Sequence, residues 1–135
     1  MSQFTPEFIA NLRSLPPKEL ILYWDRLEDE ADKNGEYIQM VRELCLIDLY
    51  YLLVKVCGRV DMLPCEASKV HVKNQFAFDR CREVEASPDN HLDLWSREHF
   101  KSSDITFGLT IQDILKDPEV TFGIFSHTRP IAKAF

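Results

Sequence analysis

His91-Leu92-Asp93-Leu94-Trp95 and, after an intervening helical span, Val120-Thr121-Phe122-Gly123-Ile124-Phe125 are the two segments on which the expected fold turns. The first alternates apolar and polar residues and predicts a short strand. The second is almost wholly apolar, β-branched and aromatic, the pattern of a strand buried on both faces of a parallel sheet. Between them a polar loop, Ser96 to Phe100, leads into a helix expected from Lys101 to about Leu115, which Asp117-Pro118 breaks. Beyond Phe125, Ser126-His127-Thr128-Arg129-Pro130 opens a further helix, with Pro130 suited to its first turn. Strand, loop, helix, strand, helix predicts the first βαβα unit of a parallel α/β sheet with a right-handed crossover.

Upstream the periodicity is helical. Thr5-Pro6-Glu7 has the form of an N-cap, a first-turn proline and a first-turn acid, and predicts a short helix to about Leu15. Pro16-Pro17 interrupts it. Leu20, Trp24, Leu27 and Ala31 then recur at helical spacing from Lys18 to about Lys33, and Asn34-Gly35 supplies a left-handed stop. A second long helix is expected from about Glu36 to Cys57, with Tyr37, Met40, Val41, Leu44, Ile47, Tyr51 and Val54 as its apolar stripe and Gly58 as its end. Residues 59–73 carry mixed polarity and Pro64 and are expected to be irregular. A third helix is expected over roughly Asn74 to Ala86, with Phe76, Cys81 and Val84 facing inward. Ser87-Pro88-Asp89-Asn90 is a turn cluster. The expected organisation is a helical region, residues 1–87, followed by the α/β unit, residues 88–135.

A strand that ends in a loop containing Lys-Ser, which itself starts a helix, has the physical design of a phosphate-binding loop. Amide N–H groups at a helix start point at the anion, and the helix dipole favours it. Lys101 would reach the β- and γ-phosphates as a mobile point charge, and the Ser102 hydroxyl would ligate Mg²⁺. Against the pattern Gly-x-x-x-x-Gly-Lys-Ser/Thr the segment runs Trp95-Ser96-Arg97-Glu98-His99-Phe100-Lys101-Ser102, with both glycines missing. Phe100 stands where a residue without a Cβ is usual, and Asp104 places a negative charge in the first turn after Ser102-Ser103.

The segment from Asp93 through Ser103 resembles the deviant Walker A region of the large terminase subunits of tailed bacteriophages, the ATP-driven motors of viral DNA packaging. The resemblance extends to Ile105 through Leu115 and to Gly123 through Pro130. It continues more loosely upstream to Asp48-Leu49-Tyr50-Tyr51-Leu52-Leu53 and Phe78-Asp79-Arg80-Cys81. It implies a P-loop NTPase sheet of the ASCE type, with ATP and Mg²⁺ as cofactors. Ser96, Arg97, Glu98, His99, Phe100, Lys101, Ser102 and Ser103 would contact nucleotide. Lys101 and Arg97 would be the catalytic pair, Arg97 countering charge on the γ-phosphate in the manner of an arginine finger, and Ser102 would be the metal ligand. Gln75, beside Phe76, would read adenine. The implied partners are double-stranded viral DNA, the small terminase subunit, the portal protein and further copies in a ring, in the cytoplasm of a bacterial host.

The remaining composition sets limits. The net charge is −6, with the acidic excess mainly in residues 1–66, so that part is not built to grip nucleic acid. The acidic run Glu28 to Asp32 is either a solvated face or a docking surface for a basic partner. Four cysteines, Cys45, Cys57, Cys65 and Cys81, show no Cys-x-x-Cys and no disulfide-like spacing, which suits reduced thiols in a cytoplasmic protein. A zinc set of Cys57, Cys65, His71 and Cys81 fits no established spacing. The apolar stretch Leu44 to Cys57 is interrupted by Asp48 and Lys55 and falls short of a membrane span.

No hydrophobic run ending in paired acids follows Lys101, and no carboxylate cluster suits a two-metal nuclease. A fragment of a longer protein is therefore expected, one that alone binds ATP weakly and does not turn it over. Its segment Val120 to Phe125 should be partly exposed or covered by a partner chain. Two alternatives stand beside the terminase: a non-catalytic helical module that binds the small subunit or portal, and a helicase-like P-loop NTPase fragment.

Overall fold

Thr5 accepts a hydrogen bond from the Phe8 N–H at 3.2 Å through its hydroxyl, and Pro6 takes the first helical position, so α1 (Pro6–Ser14) begins where its sequence predicts. The structure, a computed structural model, describes residues 4–64, 68–86 and 107–123, with side chains from residue 75 onward in the second stretch. Pro16 stands at the N-cap of α2 (Pro17–Asn34), which ends on Gly35 at φ 73°, the left-handed stop expected there.

After that single-turn link, α3 (Tyr37–Ile47) packs against α2. The long helix expected to run on to Cys57 is interrupted. Asp48 adopts φ −137° and ψ 102°, caps α4 (Leu49–Tyr51), and α4 passes directly into a π-helical turn, Leu52–Val56. Gly58, at φ 71°, ends it, and a 3₁₀ turn follows at Val60–Met62. The third helix, α5 (Ser68–Ala86), starts earlier than its periodicity suggested. Finally α6 (Thr110–Lys116), preceded by a π-helical turn at 107–109, packs on α3.

Trp24 is the centre of the core. Its ring meets Tyr51 edge-on with centroids 5.1 Å apart and lies 5.8 Å from Tyr50, which in turn meets Phe78 of α5 edge-on at 5.2 Å. Leu12, Leu20, Leu44, Leu49, Leu52, Leu53, Met62, Ala77 and Cys81 close around these rings, all with 1% exposure or less. Every element except α6 contributes a fully buried apolar side chain. From α6, Ile111 packs against the core from its edge.

The expected α/β architecture is overturned among the described residues, none of which is in a β-strand. Of the second expected strand, residues 120–123 are described and have no regular structure, and Val120 and Phe122 stand 37% and 38% exposed. The physical reason is local. The Asp117 carboxylate accepts from the Glu119 N–H at 3.0 Å and the Asp117 carbonyl accepts from the Val120 N–H at 3.2 Å, so the chain turns after Pro118. β-Branched composition favours a pleated, half-buried surface but does not supply the neighbouring strand that a ladder requires. Residues 91–95, 124 and 125, the rest of the two expected strands, lie outside the described residues.

Candidate functional site

Of the residues expected to bind nucleotide, Ser96, Arg97, Glu98, His99, Phe100, Lys101, Ser102 and Ser103 lie outside the described residues. Gln75 is described. It is exposed on α5, and its amide donates to Asp79 one turn on at 2.9 Å. Phe76 beside it is half-buried beneath the Arg80 guanidinium, 5.4 Å from the ring centroid. The helix expected after Lys101 is present from residue 107 and ends at Lys116, one residue past the expected boundary.

The most concentrated polar chemistry among the described residues is at the elbow where α3 gives way to α4. Asp48 is fully buried and accepts from the Tyr51 N–H at 3.1 Å, as an N-cap does. Its two carboxylate oxygens also receive the two terminal nitrogens of Arg82 from α5, each at 3.1 Å, a bidentate fork. Arg82 donates in addition to Glu85 at 2.9 Å, and Glu85 accepts from the Leu49 N–H at 2.5 Å. Arg13 of α1 lies 4.0 Å from Glu85 and donates to the Ile47 carbonyl at 3.0 Å. Gln112 of α6, 1% exposed, donates to the Cys45 carbonyl at 3.0 Å, and its own oxygen accepts from Lys116 at 3.0 Å.

The electrostatics follow from burial. Desolvation and the nearby Asp48 carboxylate push the Glu85 carboxyl above its ordinary range, and Arg82, the Leu49 N–H and Arg13 offset part of that. The Arg82 guanidinium, although desolvated, is held more firmly protonated by Asp48 and Glu85. Burial, with lesser contributions from Cys57 and Asp48, pushes the Cys45 thiol up to about 11, so at neutral pH it is a neutral thiol rather than a nucleophile. Two carboxylates facing two guanidiniums make a charge-balanced group. Its lone pairs are committed to guanidinium and backbone N–H groups, which suits anchoring helices and not acid–base work.

A second polar cluster ties the segment just after the elbow to α2. Lys55 donates to Asp25 at 2.7 Å and to Glu28 at 3.0 Å, and the Tyr51 hydroxyl donates to Glu28 at 2.9 Å. Burial and the Glu28 hydrogen bond raise the Tyr51 phenol well above its ordinary value. Glu28, the start of the acidic run, is thus engaged with the body, whereas Asp29, Glu30 and Asp32 are exposed. Leu22, 59% exposed, lines two surface grooves. One, of about 240 Å³, is lined by Leu15, Glu19, Tyr23 and Arg26; the other, of about 410 Å³, by Lys18, Ile21, Leu63 and Pro64.

Among the described residues no group of three or more His, Cys, Asp or Glu side chains is arranged to hold a metal ion. Nor does any helix there have the length and apolarity to cross a membrane. The elbow residues Arg13, Arg82, Glu85 and Gln112 were not singled out from sequence. One signal was present: Asp48 is a lone carboxylate inside the apolar stretch Leu44 to Cys57, and a buried acid requires cationic and N–H partners. No family model matches this chain, and no curated protein or solved structure matches it either.

Proposed function

We propose that this chain is an ATP-binding part of a DNA-packaging motor of the large terminase type, with Lys101 and Ser102 at the nucleotide phosphates, Mg²⁺ on Ser102 and Arg97 facing the γ-phosphate. The observation that carries the proposal is the sequence of residues 93–103, where an arginine, a lysine and a serine stand at the spacing of the family's glycine-poor Walker A segment. Two features support it. Residues 107–116, directly downstream, are helical, as a segment following a phosphate loop should be, and this span is tied to the body through the buried amide of Gln112. Double-stranded DNA, the small terminase subunit, the portal and further copies of the chain are the partners that accompany the proposal. The acidic helical body is not the DNA-contacting part.

Titration of the chain with a fluorescent ATP analogue, with and without Mg²⁺, tests it. Weak, Mg²⁺-dependent binding is expected, reduced about tenfold or more in Lys101→Ala, the loss of one charge-assisted phosphate contact. No turnover is expected from the chain alone. Equal binding by wild type and Lys101→Ala overturns the nucleotide site, and robust hydrolysis abolished by Lys101→Ala overturns the expectation of inactivity.

The two grooves beside the exposed Leu22 favour a second function, a helical docking module for the small subunit or portal. Capture of either purified partner by the chain without nucleotide, lost in Leu22→Asp, would favour docking over nucleotide binding.

A further inference from the structure

In an uninterrupted α-helix the Leu49 N–H would donate to the Cys45 carbonyl and the Tyr51 N–H to the Ile47 carbonyl. At the elbow these four backbone groups are taken by four side chains instead. The Leu49 N–H donates to Glu85 and the Tyr51 N–H to Asp48, while the Cys45 carbonyl accepts from Gln112 and the Ile47 carbonyl from Arg13. These side chains belong to α5, the elbow itself, α6 and α1. Straightening the helix would restore two backbone bonds and discharge all four side chains together. Each arrangement satisfies every one of the four backbone groups, which is the condition for two competing packings of one segment.

The bent form is held by the Arg82–Asp48 fork and by the preference of aspartate for a cap over a helix interior. Its most vulnerable client is α6. A helix of seven residues is far below the roughly 12–15 that persist alone in water. Gly108, Ile111 and Gln112 turn toward the body, while Phe107, Ile114 and Leu115 remain 44–45% exposed.

We propose that the Asp48 elbow is a two-state joint, bent or straight, through which α1 and α6 are docked on the helical body or released from it together. The joint stands whether or not residues 96–103 bind nucleotide.

Amide hydrogen exchange on the full chain tests it, comparing wild type with Gln112→Leu and Arg13→Leu. Each substitution frees one elbow carbonyl and so favours the straight form. Each should speed exchange about tenfold in both residues 6–14 and residues 110–116, not only in the helix that carries it, the scale of one lost hydrogen bond shared through a common opening. Exchange in α2 should stay at the wild-type rate. The Tyr51 amide should stay protected, passing from Asp48 to the Ile47 carbonyl. Loosening confined to 110–116 in Gln112→Leu and to 6–14 in Arg13→Leu overturns the joint, and so does loss of protection that spreads through α2. Asp48→Ala is the stronger perturbation and should release both helices while keeping the Leu49 and Tyr51 amides protected. If it does not fold, the Gln112 and Arg13 variants still decide.

Discussion

Arg82 is the residue on which the elbow depends. With 14% of its side chain exposed, it lies over the Phe78 ring at 5.0 Å and serves two carboxylates that are 0% and 4% exposed. Replacing it by leucine preserves the apolar contact with Phe78 but strands two buried acids, a change expected to cost about 3–5 kcal/mol, measurable as a fall in the urea midpoint. Arg82→Lys, which lacks the fork, should recover only part of that loss. Glu85 adds a pH dependence of definite sign. Its folded carboxyl titrates above the ordinary 4.5, so its contribution is full below that value and is lost as the pH rises through the raised one. The melting temperature of wild type relative to Glu85→Gln should therefore decline as pH increases from 4.5. Cys45 acts the same way in base. Its thiol titrates near 11 in place of 9.0, so on the order of 2 kcal/mol of stability should disappear between pH 9 and 11, and Cys45→Ala should flatten that limb of a pH-stability curve. None of these roles was legible in sequence beyond the single acid in an apolar run. Arg82 and Glu85 look like ordinary surface charges on a helix until Asp48 is placed opposite them.

At the level of elements, local chemistry carried most of the information. The cap at Thr5, the break at Pro16-Pro17 and the stop at Gly35 are covalent and steric signals, independent of what packs nearby, and the helices begin and end on them. Gly35 permits a direct test. Its φ of 73° disfavours any side chain, yet a Cβ there would meet nothing within 4 Å. Gly35→Ala should thus cost about 1 kcal/mol from backbone conformation alone, seen as a shift in melting temperature with an unchanged helical circular dichroism signal. The missed elements are those set by partners. The helix from Glu36 to Cys57 has one continuous apolar stripe, and only the arrival of Arg82, Arg13, Glu85 and Gln112 makes a bend at Asp48 worth more than two backbone hydrogen bonds. The same holds for Val120 to Gly123. Their β-branched and aromatic character indicates a strand that needs a neighbour, and among the described residues the Asp117-Pro118 turn leaves them exposed instead.

Taken whole, the described chain is one helical core with its polar network at the rim, joined by a relay of rings: Arg82 over Phe78, Phe78 against Tyr50, Tyr50 against Trp24. The candidate nucleotide residues could be named only through a family resemblance, because their spacing lacks both glycines of the phosphate-loop pattern. The elbow could not be named at all, because it draws on residues as far apart as Arg13 and Gln112 and no local pattern connects them. The relay makes Trp24 the point at which core and rim are tested together. Its ring is fully buried, but its indole N–H has no hydrogen-bond partner among the described residues. Truncating the ring and removing the N–H therefore have different consequences. Trp24→Ala should cost about 3–5 kcal/mol, the usual penalty for a large aromatic cavity. Trp24→Phe loses part of the volume but also removes a buried donor whose desolvation costs about 1–3 kcal/mol, so it should fall well short of the alanine penalty. If the core and elbow unfold as one unit, urea transitions followed by helical circular dichroism and by exchange at the Tyr51 amide should coincide in wild type and shift together in both variants. An elbow amide that keeps its wild-type midpoint in Trp24→Ala would mean that the rim network folds independently of the rings beneath it.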